Sequence, residues 1–309
     1  MKANYFYQVL FALVITSTAF AAENAINKPI VISGTKFTYP LIERWIAEYS
    51  KVNPRLKIQI TQKLVAGQTA DLNIIAHQPD KEEFVAGDNK FVYAGKYALL
   101  PVTNPNNPIL TNAKKGLSKK EIDKLFFDVV NFDIDPTDRK PTYEVAVYSS
   151  DSKACASNAL ADYFGHQTSQ IRGNKVLGDD IYLLSAVKKD SIGVAYNNLG
   201  YIYDTDSRKL KEGLALLPLD LKKDAREILT GDLDNVIGVL ENTKIETIPI
   251  EYISFVYSST NPNKEVLDFL KWVLTEGQQY NHEKGFLRLG DQAIVEQTNR
   301  LNQRLLTLK

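Results

Sequence analysis

Cysteine is all but missing from this chain. Cys155 is the single one among 309 residues, so no intramolecular disulfide can staple the fold and stability must come from packing. Histidine is nearly as scarce: His77, His166 and His282 stand far apart, with no HExxH or paired-ligand spacing, which argues against a metal centre. Charge of one sign is lacking too. Lys+Arg and Asp+Glu both number 37, for a net charge of +0, so nothing points to a broad nucleic-acid surface or a polyanion partner. The sequence contains no GxSxG, no Walker loop and no dinucleotide fingerprint, and Cys155 sits between two alanines with no histidine beside it. No enzymatic activity and no cofactor is implied. There is also no internal repeat and no low-complexity linker.

The N-terminus explains the one marked apolar run. Met1-Lys2 leads into Val9 to Ile15, then Thr16-Ser17-Thr18 and the small-residue motif Ala19-Phe20-Ala21. This reads as a secretory signal peptide over 1–21. The run is much shorter than the roughly 20 residues that cross a bilayer, so it is not an anchor. No cysteine stands at the cleavage region to accept a lipid. The expectation is therefore a periplasmic chain, not a lipoprotein and not inserted in the membrane after cleavage. With 44% hydrophobic residues, a chain of this length buries a large core and commonly divides in two.

Strand and helix signals alternate through the sequence. Pro29 to Ile32 reads as a buried strand, Ser33-Gly34-Thr35-Lys36 as the turn that ends it. Leu41, Ile42, Trp45, Ile46 and Tyr49 then repeat at helical spacing, with Pro40 in the first turn and Asn53-Pro54 as a stop. Leu56, Ile58 and Ile60 alternate with polar residues as in a half-exposed strand. Leu72 to Ile75 and Tyr97 to Val102 read as further strands. Ser118-Lys119-Lys120-Glu121 has capping-box form ahead of the stripe Ile122, Leu125, Phe126 and Val129. Tyr143 to Tyr148, Ile192 to Tyr196 and Ile250 to Tyr257 are predicted strands, with a helix around Ile181, Leu184 and Val187. The stripe Val266, Leu267, Leu270, Val273 and Leu274 and the stripe Ile294, Thr298, Leu301, Leu305 and Leu308 predict two closing helices. The pattern implies α/β layering whose ligand sites lie beyond the carboxyl ends of strands.

Four segments, in order, resemble the periplasmic phosphate-binding proteins of ABC transporters: ISGTKFTYPLIERWIAEYSKV (32–52), YALLPVTNPNNP (97–108), DSIGVAYNNLGY (190–201) and VLDFLKWVLTEGQQYNHEKGF (266–286). The resemblance implies an α/β, two-lobed type II periplasmic-binding-protein fold. Its features would be mainly parallel sheets, helices on both faces and a ligand cleft between the lobes. It puts lobe 1 at 22–97 and 256–309 and lobe 2 at 98–255. It also implies hinge closure on a small anion such as phosphate and delivery to an ABC transporter permease.

The anion-binding loops diverge from that family. In the first, Lys36 stands where the family usually has serine or threonine. The second loop is missing, because Gln62 to Gly67 joins its strand almost directly to the segment ending at His77. Ala76 and His77 fall where the family carries a buried aspartate. In the third, Tyr148 replaces an arginine and only Ser152 matches. The ligand-binding residues implied are Thr35, Lys36 and Phe37 from one lobe, Phe37 through its backbone N–H, and Ser152 and Lys153 from the other, all at helix starts that favour anions. Against this, Lys36 and Lys153 fit a solvated surface, and Thr35 and Ser152 fit ordinary helix caps. Two functions follow: capture of phosphate or another small oxyanion, or a divergent descendant that acts in protein interaction or signalling in the cell envelope.

Overall fold

The computed structural model describes residues 29–76, 89–128, 141–150, 155–229, 231–259 and 263–306. The proposed signal peptide lies outside them, as do His77, Ser152 and Lys153. No helix among the described residues is long and apolar enough to cross a membrane.

Among the described residues nine strands share one curled sheet. They are β1 (Ile30–Gly34), β2 (Ile58–Ile60), β3 (Leu72–Ile75), β4 (Asn89–Thr103), β5 (Ala146–Ser150), β6 (Asn174–Val176), β7 (Gly193–Asn198), β8 (Ala215–Leu216) and β9 (Ile250–Ser258). Their order is β2-β1-β3-β9-β4-β7-β5-β6, with β8 against β4. The outer parts are parallel: β1 with β2 and β3 at one end, β5 with β6 and β7 at the other. The antiparallel pairs are those made by the long central strands. β4 pairs with β9 from Asn89 to Ala98, then with β7 from Leu99 to Thr103. This single 15-residue strand therefore serves both lobes.

The helices follow their stripes. In the first lobe α1 (Tyr39–Val52) turns Leu41, Ile42, Trp45 and Tyr49 inward, with Pro40 in its first turn where a missing N–H costs nothing. Trp45 is fully buried against Phe255, and its Nε1 donates to Gly277 O at 2.9 Å. Tyr49 meets Phe269 edge-on. A core tryptophan of this kind contributes about 3–5 kcal/mol relative to alanine. In the second lobe α2 (Lys119–Phe126) has the full capping box, with Ser118 Oγ accepting from Glu121 N–H and the Glu121 carboxylate accepting from Ser118 N–H. Phe126 and Phe164 pack on Tyr196, whose hydroxyl donates to Thr247 O. The helices α3 (Cys155–Phe164) and α4 (Ile181–Lys189) flank β7, whose six residues are all buried. Then come α5 (Leu233–Asn242), α6 (Lys264–Leu274) and α7 (Asp291–Leu306), the last two packed on the first lobe with α1.

Candidate binding cleft

The parallel strands of both lobes end toward a common seam, which is where such sheets present ligand-binding loops. On the first lobe β1 stops at Gly34, whose φ is +124° and where a Cβ would lie 2.1 Å from Ile74 O. Only glycine fits there. Thr35 N–H donates to Ile74 O at 3.0 Å, so its amide is already engaged. Lys36–Thr38 form one 3-10 turn, closed by Thr38 donating both N–H and Oγ1 to Thr35 O. That turn runs directly into α1. The N–H groups of Lys36 and Phe37 head this helical run and have no acceptor upstream in it.

The side chains divide the work. Lys36 is exposed, with no carboxylate in ion-pair range among the described residues. The Phe37 ring is only 7% exposed; it stacks on Phe286 at 5.9 Å and meets Tyr97 and Tyr201 edge-on. Tyr201 belongs to the turn Leu199–Ile202 of the second lobe, so Phe37 is pinned at the seam with its amide held in place. Beside it the Tyr39 hydroxyl donates to Gly34 O and Thr61 O, and burial raises its pKa above the usual tyrosine value.

The second lobe offers a different arrangement. Ala156 N–H, in the first turn of α3, donates to Asp180 Oδ2 at 3.2 Å. Asp180 is 6% exposed, its Oδ1 has no hydrogen-bond partner among the described residues, and burial pushes its carboxyl up to about 6. Asn197 Nδ2 donates to Asp180 O, and Asn198 N–H to Asn197 Oδ1. A carboxylate of the protein thus occupies the helix start that an outside anion would otherwise favour. Tyr148 donates its hydroxyl to Asp190 Oδ2 at 2.9 Å.

Polar contacts also fasten the lobes together next to Phe37. Arg208 of the second lobe pairs with Asp234 through both Nε and Nη2 and donates to His282 O and Glu283 O of the first. Its φ of 62° makes it the one non-glycine residue with positive φ among the described residues. Glu241 Oε1 accepts from His282 Nε2 at 2.8 Å and from Arg288 N–H at 2.6 Å. Burial raises the Glu241 pKa, but these donors outweigh it and leave the carboxyl below its ordinary value. Gly285, at φ 76°, comes so near Gly200 that a Cβ would sit 2.9 Å from Gly200 N. His166 pairs with Asp123 instead of another ligand, and the described residues hold no cluster suited to a metal ion.

The structure thus places Thr35, Lys36 and Phe37 together at the seam. Sequence reasoning did not single out Tyr201, Asp180, Asn197, Arg208 or Glu241. Only the NNLG run, ending a buried strand in a helix cap, carried a local signal for any of them. Among the described residues, cavities of about 130 and 380 Å3 are lined by none of Thr35, Lys36 and Phe37.

No protein-family model matches the sequence, and no curated protein sequence does either. Solved structures do match. A protein assigned as a phosphate ABC transporter substrate-binding protein, with bound phosphate, from Clostridium perfringens is 16% identical with a TM-score of 0.60, covering 85% of this chain and 100% of that one. An ABC-type phosphate transport receptor from Vibrio cholerae is 11% identical with a TM-score of 0.57, covering 84% and 100%. An OxyR variant from Corynebacterium glutamicum is 11% identical with a TM-score of 0.51, covering 98% and 77%. The protein has the type II periplasmic-binding-protein fold. Within that fold it is similar to the phosphate-binding proteins, at identities that speak to architecture alone.

Proposed function

We propose that the protein is an exported, periplasmic solute-binding protein that closes two lobes on phosphate or another small oxyanion and delivers it to an ABC transporter permease. The observation that carries this reading is the Lys36–Phe37 pair. Two amide N–H groups without a helical acceptor head a 3-10 turn and a 14-residue helix, beside an exposed lysine. Backbone donors, helix dipole and a cationic side chain converge there, the combination that holds an oxyanion. The similar fold from Clostridium perfringens, solved with phosphate bound, supports the choice of ligand class. Thr35 would contribute its hydroxyl, and Ser152 and Lys153 would approach from the second lobe.

A second reading is favoured by Asp180. With its carboxylate on the first turn of α3, the second lobe repels an anion at that helix, and the chain serves instead in protein interaction or signalling in the envelope. Thermal unfolding of the mature chain with phosphate, sulfate and small carboxylates separates the two. A specific ligand at 100 times its Kd adds about 2.7 kcal/mol, and Lys36→Ala should weaken it about tenfold. Stabilisation by none of them, together with a protein partner recovered by affinity capture, defeats the first reading.

A further inference from the structure

We propose that the second lobe carries a separate site for a short-chain aliphatic monocarboxylate, with the carboxylate on Arg226 and the tail among leucines. The site is the cavity of about 130 Å3 whose walls include Leu100, Leu216, Leu217, Leu219, Leu229 and Arg226. It lies away from Lys36 and Phe37, and the inference does not rest on the oxyanion reading.

Three observations carry it. The first is that the walls are built beforehand. β8 pairs with β4 through Val102 and Leu216. The strap that follows is tied on both sides, Leu217 N–H to Pro101 O and Leu117 N–H to Pro218 O. The cavity therefore does not depend on a ligand to open.

The second is charge. Arg226 supplies the only charged side chain of the lining among the described residues. Its Nη1 donates to Lys114 O at 3.4 Å, and its Nη2 to Lys115 O at 2.9 Å and Leu221 O at 3.1 Å. These acceptors are neutral carbonyls. Among the described residues its Nε is buried without an acceptor and no carboxylate pairs with it. A guanidinium stays charged under all ordinary conditions. A carboxylate in the cavity beside the guanidinium would supply the missing counter-charge.

The third is size and polarity. An apolar cavity of about 150 Å3 holds one benzene, six heavy atoms, so this one suits a tail of about four carbons. Inorganic phosphate fails on the same grounds, since leucine walls cannot satisfy its remaining oxygens. A neutral alkane or alcohol would leave the guanidinium uncompensated. Pentanoate meets both demands.

The test is amide NMR and calorimetry on the full mature chain with pentanoate, pentan-1-ol and inorganic phosphate. At about 10 mM, enough to saturate a millimolar site, pentanoate should shift the amides of Leu216, Leu217 and Arg226. Arg226→Met should weaken pentanoate by about tenfold or more, the usual effect of losing a charge-assisted bond. Arg226→Lys, which keeps the charge should the methionine variant misfold, should retain more binding than any neutral residue. Four results would each overturn the proposal: no shift with pentanoate, shifts centred on Lys36 and Phe37 instead, pentan-1-ol binding as tightly as pentanoate, or undiminished pentanoate binding by the methionine variant.

Discussion

Glu251→Gln should stabilise the protein at pH 8 and do little at pH 5. Glu251 lies on β9 opposite Tyr97, where burial, and then the charge of Asp162, push its carboxyl up to about 7. A folded-state pKa above the unfolded value of 4.5 means that the native state binds the proton more tightly. Stability from this group is therefore fully present below about pH 4.5 and is lost as pH rises through about 7. At about 1.4 kcal/mol per pH unit the ceiling is about 3 kcal/mol. Partial access to water reduces this to about 1–2 kcal/mol. Glutamine keeps the shape and never ionises, so it removes the penalty only where the carboxylate would be charged. Urea unfolding at pH 5 and pH 8 measures both ends. An equal change at the two pH values, or a loss of stability at pH 8, would refute the assignment of burial and Asp162 as the cause.

Other consequences are as direct. Gly34→Ala should cost more than about 3 kcal/mol, or prevent folding, since the new methyl would meet Ile74 O at positive φ; soluble yield and Tm report it. Ser118→Ala breaks one half of the capping box and should cost about 1 kcal/mol in denaturant unfolding. Arg208→Ala removes the bonds to His282 O and Glu283 O and should loosen the lobes, seen as a larger radius of gyration by small-angle X-ray scattering without ligand. An unchanged radius would mean that Phe37, Tyr201 and the Gly200–Gly285 contact suffice.

Periodicity made much of the fold legible. The stripe from Leu41 to Tyr49 is α1, Ser118 caps α2, and the β-branched and aromatic run from Ile250 to Tyr257 marks β9, because each signal is local. The expected strand at Tyr97 to Val102 falls short of β4, which begins at Asn89. Asn89, Lys90, Gly95 and Lys96 hide that half, since its pairing with β9 rests on backbone bonds that no side-chain pattern announces. β6 is three residues at an edge, two of them exposed, and carries almost no apolar signal. Val129, placed on the stripe of α2, lies outside the described residues. At the cleft, the Ser33 to Lys36 loop could be read because the turn and the helix start are contiguous. Tyr201, Asp180 and Arg208 could not, because their partners are remote in sequence and each looks ordinary alone.

The bond from Trp45 to Gly277 joins positions 232 apart, and that separation bears on how the molecule is made. A chain synthesised from its N-terminus exposes β1 and α1 long before Phe255, Phe269 and Gly277 exist to cover Trp45. Contacts of such range form slowly and leave apolar surface bare meanwhile. The opening segment waits, unfinished, for the last quarter of the chain to arrive.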